Sequence, residues 1–191
     1  MISTPIIVVS GLPRSGTSMM MQMLEAGGVP IYGEARRQAD ADNPRGYYEL
    51  ARVKELVKTQ HHTWLGAAQG KAVKIISPLL QELPGAYAYQ VILMNRDLSE
   101  VLLSQNKMLA RRGQQADKDA NDKLRASFAK HLHEIKNWLG QQANFKVIAV
   151  DYRQVVNAPA VQAKRLQEFL EINLNLEKMA AVADEKLYRN R

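Results

Sequence analysis

Eight residues near the start of the chain have the makings of an anion cradle: Gly11-Leu12-Pro13-Arg14-Ser15-Gly16-Thr17-Ser18. They follow an apolar run, Pro5–Ser10, and open a stretch of helical periodicity from Thr17 to about Ala26. A glycine turn between a strand and a helix aims backbone N–H groups and the helix's positive end at one spot, where a phosphate can sit. Gly11 and Gly16 have the spacing of the nucleotide-phosphate pattern G-x-x-x-x-G-K-[ST], but Thr17 stands where that pattern needs Lys. A nucleoside triphosphatase uses that Lys on the β- and γ-phosphates. Here the loop's cation is Arg14, which suits a donor with less charge at its transferring end.

A second pair of residues offers anion chemistry. Arg96 follows the apolar run Gln90–Asn95, and Ser104 comes eight residues later on the helical stretch Ser99–Arg112. In parallel α/β sheets, ligands bind at the carboxyl ends of strands. A guanidinium and a hydroxyl meeting there bind a phosphate through charge-assisted hydrogen bonds. Near the end of the chain, Val150-Asp151-Tyr152-Arg153 closes the apolar run Lys146–Asp151, and Asn157-Ala158-Pro159 leads into another helix.

Pro13-Arg14-Ser15-Gly16-Thr17-Ser18 resembles the 5′-phosphosulfate loop of sulfotransferases that use PAPS (3′-phosphoadenosine-5′-phosphosulfate), P-[KR]-[ST]-G-T-[TS]. The Arg form is most similar to tyrosylprotein sulfotransferases and to bacterial members of the broad family. The resemblance implies that Arg14 contacts the transferring sulfuryl group while Gly16, Thr17 and Ser18 hold the 5′-phosphate. Gly11, Pro13 and Ser15 complete the loop. The Arg96-to-Ser104 interval resembles the family's 3′-phosphate site, which separates PAPS from ATP. Val150–Pro159 is similar to the segment V-x-Y-E-x-L-x-x-P, with Arg153 where that pattern has Glu. Tyr152 either lines the nucleotide pocket or sits at the core's edge.

The acceptor side departs further from the family. Cytosolic members use a His in K-x-H-x-P after the second strand, and Lys74-Ile75-Ile76-Ser77-Pro78 has Ile76 in its place. Lys74 matches the strand-end Lys that neutralises leaving-group charge. Glycan and tyrosine sulfotransferases use a Glu after the first helix, so Glu34, in Tyr32-Gly33-Glu34-Ala35-Arg36, is the candidate base. Ala35 is the other position that pattern admits. The expected donor is PAPS, with PAP (3′,5′-ADP) as product, no metal, and a hydroxyl or amine acceptor of open identity. Two other readings stand beside it. One is a small-molecule kinase or NTPase with Asp151 as its magnesium-side carboxylate; the other is a nucleotide binder without catalysis.

The elements that must position these groups follow from the pattern. Pro5–Ser10, Ala72–Ile76, Gln90–Asn95 and Lys146–Asp151 are nearly continuous in β-branched and aliphatic residues, which predicts parallel strands buried on both faces. Helical periodicity covers Thr17 to about Ala26 with a stop at Gly27-Gly28, Leu50–Leu65, Ser99–Arg112 closed by Gly113, Asp119–Gln142, and Ala158–Leu170 with Pro159 in its first turn. Alternating strands and helices predict an α/β fold: a three-layer P-loop domain with a parallel sheet of four or five strands flanked by helices. The 191 residues suit one domain, 1–191.

Composition sets the outer limits. The net charge of +7 fits an anionic ligand, but no nucleic-acid-binding motif accompanies it, so no nucleic-acid partner is expected. The chain contains no Cys, which excludes disulfides, thiolate metal sites and a Cys nucleophile. It has no signal-peptide pattern and no long apolar run, so a cytoplasmic protein without a transmembrane segment is expected. The polar loop Asp40–Glu49 is placed to help form the acceptor site; Asp40 and Asp42 lack the further ligands of a calcium loop. His61-His62 fall in the predicted second helix, and His131 and His133 lie two apart on the long one, where they do not face together. The run Met19–Met21 reads as packing, and the basic tail Leu187–Arg191 as a solvated terminus.

Overall fold

The computed structural model describes residues 4–33, 48, 51–57, 62–111, 113–114 and 118–183. Four parallel strands form its sheet: β1 (Ile6–Gly11), β2 (Ala72–Lys74), β3 (Tyr89–Asn95) and β4 (Phe145–Asp151), in the order β2-β1-β3-β4. The register pairs Val9 with both Lys74 and Ile92, Gly11 with Met94, and Asn95 with Asp151. The strands therefore end level, and the residues that follow them share one edge.

Helices cover both faces. On one side, α1 (Thr17–Ala26), α6 (Pro159–Leu170) and α7 (Leu176–Val182) pack on the row Ile7, Val9, Ile92, Met94 and Val150. The methionines of α1 are packing residues: Met20, Met21 and Met23 are wholly buried there. Gly27 caps α1, and its carbonyl accepts from Asn175 N–H, which docks the start of α7. On the other side, Ile135 and Leu139 of α4 (Lys118–Leu139) pack on Ile6, Val8, Val91 and Leu93. The short α2 (Trp64–Ala67) and the 3₁₀ turns Ala51–Val57 and Ser77–Glu82 complete that face. The helices α3 (Leu98–Arg111) and α5 (Tyr152–Asn157) leave the ends of β3 and β4.

The α/β class and the parallel sheet agree with the sequence reading, and two expectations are corrected. Leu50–Leu65 is not one helix; its described parts are the 3₁₀ turn and the start of α2, with His62 in the connection. Val53, Leu56, Trp64 and Leu65 are drawn separately into the core, and tertiary packing of this kind overrides helix propensity. Nor is β4 buried on both faces. It is an edge strand, with Lys146, Val147 and Ala149 exposed. α5 and α7 were not expected.

Candidate active site

The loop after β1 turns on three positive φ angles: Gly11 (150°), Arg14 (70°) and Gly16 (97°). Glycine is needed at position 11, because a Cβ there would lie 2.5 Å from Ser15 Oγ and 2.8 Å from the Met94 carbonyl. Ser15 closes the turn from within; its buried hydroxyl donates to the Leu12 carbonyl at 2.7 Å. Gly16 leads into α1 in the left-handed conformation and gives that helix no side-chain cap. The first N–H groups of α1 are thus left to a ligand or solvent rather than to a capping oxygen. Pro13 is exposed at the crest of the loop, and Thr17 is buried at its base.

Arg14 ties the loop to the second motif. Its Nε donates to Ser104 Oγ at 2.9 Å across 90 residues of sequence. Arg96 Nη1 in turn donates to the Arg14 carbonyl at 3.1 Å. The Arg96 guanidinium lies 4.2 Å from the centre of the Tyr152 ring, a cation–π contact between the ends of β3 and β4. Lys74, at the end of β2, donates from Nζ to Ser18 Oγ at 3.3 Å. One sheet edge therefore brings together Arg14, Ser18, Lys74, Arg96, Ser104 and Tyr152. Glu34 and residues 40–47 lie outside the described residues.

Three further features were not read from the sequence. Glu100, buried one turn into α3, accepts from Arg96 Nε at 3.0 Å on one oxygen and from Arg153 Nε at 2.7 Å on the other. The i,i+4 spacing of Arg96 and Glu100 was a usable signal; the link to Arg153 was not. Asp97 caps α3, accepting from the N–H groups of Ser99 and Glu100. Desolvation pushes its carboxyl upward, but those N–H bonds, the Ser99 hydroxyl and nearby Arg153 together hold it below the ordinary range. Asp151 caps α5 in the same way, bonding the N–H groups of Arg153 and Gln154. Both bonds fall on Oδ1, so this oxygen serves the turn into α5.

The third feature lies on the α4 face, where each apolar row ends in a polar residue. Ile6 and Val8 lead to Ser10, Val91 and Leu93 to Asn95, and Val73 and Ile75 to Ser77. Ser77 Oγ pairs with His131 Nε2 at 2.9 Å. Ser10 Oγ and Asn95 Oδ1 are buried with no hydrogen-bond partner. His131 continues the α4 stripe of Ile135 and Leu139, so helical spacing was the signal that could have found it. His133 bonds Asn137 on the exposed side of the same helix. Among the described residues, no group of His, Asp and Glu is arranged to hold a metal.

A parallel sheet carrying a glycine loop, an uncapped helix N-terminus and three converging cations defines a P-loop α/β protein for anionic donors, with Arg14 in place of the usual Lys. The chain belongs to the sulfotransferase domain family, whose model matches residues 4–190. Its fold is similar to that of sulfotransferase STF1 from Mycobacterium tuberculosis, with a TM-score of 0.59 and 15% identity over 96% of this chain and 71% of that one. It is also similar to mouse sulfotransferase SULT7A1, which was solved with PAP, with a TM-score of 0.55 and 16% identity. That match covers 94% of this chain and 64% of the mouse chain. None of the curated proteins matches the sequence. No described helix is long and apolar enough to cross a membrane.

Proposed function

We propose that this chain transfers a sulfuryl group from PAPS to a hydroxyl or amine acceptor. The observation that carries the reading is Arg14, held in a left-handed turn with its side chain on Ser104 and its carbonyl on Arg96. That arrangement fuses the loop for a 5′-phosphosulfate with the strand end for a 3′-phosphate. The fit of the donor rests on the uncapped α1 N-terminus, in a loop whose shape is fixed by Ser15 and Met94 against Gly11 and by Tyr152 against Gly16.

In this reading Gly16, Thr17 and Ser18 hold the 5′-phosphate, and Gly11, Pro13 and Ser15 shape the loop. Arg96 and Ser104 hold the 3′-phosphate, with Tyr152 supporting Arg96 from below. The acceptor atom forms the new bond to sulfur, the bond to the 5′-phosphate oxygen breaks, and the acceptor's proton goes to a base. Glu34 is the proposed base. Arg14 and Lys74 stabilise charge developing on the sulfonate and bridging oxygens. They supply the cations this chemistry asks for, so the proposal takes no metal. A single domain, 1–191, and a cytoplasmic site of action belong to the same proposal.

Thermal shift with PAP, AMP, and ATP with Mg²⁺ tests the donor. A ligand at 100 times its dissociation constant stabilises by about 2.7 kcal/mol. For a chain of this size that is an upward shift of roughly 5–10 °C. PAP is expected to give the shift, with AMP well below it. Stabilisation by ATP with Mg²⁺ alone would replace the sulfotransferase reading with a kinase or NTPase.

A further inference from the structure

Glu100 and Arg153 do more than the donor site so far described requires. One carboxylate suffices to hold Arg96 by its Nε, yet the second oxygen of Glu100 takes a second guanidinium. The two partners differ in environment: the Arg96 side chain is 8% exposed, that of Arg153 60%. Strand register explains their meeting. Asn95 lies opposite Asp151, so Arg96 and the pair Tyr152-Arg153 leave neighbouring strands at one level. The two guanidiniums grip the two oxygens of a single carboxylate and therefore stand side by side at the sheet edge.

Charge makes the arrangement informative. A ribose phosphate is a monoester with close to two negative charges at neutral pH. Arg96 has already given Nε to Glu100 and one Nη1 bond to the Arg14 carbonyl. Glu100 faces both guanidiniums, and the Asp97 carboxylate also lies near Arg153. With Glu at position 153, as in the pattern this segment resembles, Arg96 would face two carboxylates instead. The substitution changes this corner by two charges in the direction an anion favours.

We propose that Arg153 is a donor-binding residue of this chain, a second guanidinium that grips the 3′-phosphate beside Arg96, with Glu100 holding the two forks in place. The proposal deepens the PAPS reading and rests on it. A purely structural Arg153, there only to neutralise Glu100, would be replaced without loss of PAP affinity by Lys, which keeps that charge.

Calorimetric titration of the full chain with PAP and AMP separates the two roles, using wild type, Arg153→Gln, Arg153→Lys, Arg153→Glu and, as reference, Arg96→Ala. Arg153→Gln is expected to weaken PAP about tenfold and AMP less than twofold. Arg153→Glu should weaken PAP further. Arg153→Lys keeps the charge that neutralises Glu100 but loses the planar fork, so it should fold like wild type and still bind PAP less well. Equal losses for PAP and AMP, or wild-type PAP affinity in Arg153→Lys while Arg96→Ala is impaired, overturns the role of Arg153 and leaves the PAPS reading intact. Wild type that does not bind PAP overturns both.

Discussion

The two ends of the site's edge are built differently. Where β3 and β4 finish, Arg96, Glu100, Tyr152 and Arg153 interlock with the Arg14 carbonyl, and every contact named there lies between 2.7 and 4.2 Å. Where β2 finishes, Lys74 reaches Ser18 by one 3.3 Å bond, and Ile76 is exposed where relatives of the K-x-H-x-P type place a base. In the proposed function the first corner is a preorganised anion receptor, set before any ligand arrives. The second is sparse and leaves its chemistry to groups that the acceptor must meet. A donor that is common to a family needs a fixed site, whereas acceptor chemistry is where members of one family diverge.

Arg14 is part of the first corner and is also the proposed cation for the sulfuryl group, so removing it should have the largest effect. Arg14→Ala is expected to cut turnover by about 10³, measured as PAP release with any acceptor the protein turns over. It should also weaken PAP, because Ser104 loses its side-chain contact with the loop. Lys74→Ala sharpens the contrast. It should cut turnover by about 10² while leaving PAP affinity within a few fold, since its charge is needed only as the bridging bond breaks. An equal loss of PAP affinity in both variants would show that the corners do not divide binding from chemistry.

The smallest effect concerns Asp97, which anchors the first turn of α3 beneath the receptor corner. Asp97→Ala should lower stability by about 1 kcal/mol at neutral pH, as loss of an N-cap does. The carboxyl is held below its ordinary value, so its contribution is present above about pH 3.9 and fades as pH falls through the lower folded value. Denaturant melts of wild type and variant should therefore converge in acid. Asp97→Asn keeps a capping oxygen and should track wild type at neutral pH without the acid loss.

Sequence reading reached what is local. The glycine loop, the stop at Gly27-Gly28 and the Arg96-to-Ser104 interval each depend on neighbours within ten residues. Burial of β4 on both faces was a wrong expectation, because its row of apolar residues does not say that the strand ends a sheet. Arg153 and Glu100 lie 53 residues apart, and Ser77 and His131 lie 54 apart. Both pairs exist only once strand order and helix placement are set. For Leu50–Leu65 the periodicity was present, but packing used its apolar residues piecemeal. Glu34 was reached by resemblance alone, and its place in the chemistry rests on the proposal.

Arg14 is one of two described non-glycine residues with a positive φ, at 70°. A side chain in that region costs about 1–3 kcal/mol, and glycine would adopt the same turn with little strain. The chain bears this cost at all times, with or without a ligand. Natural proteins sit only a few kcal/mol above the threshold at which they unfold, so the residue proposed to serve the donor is also a drain on that margin. A population selected for heat resistance alone would be drawn toward glycine at position 14. It would shed the strain and lose the cation, so under the proposed function a relative carrying glycine there should have lost transfer.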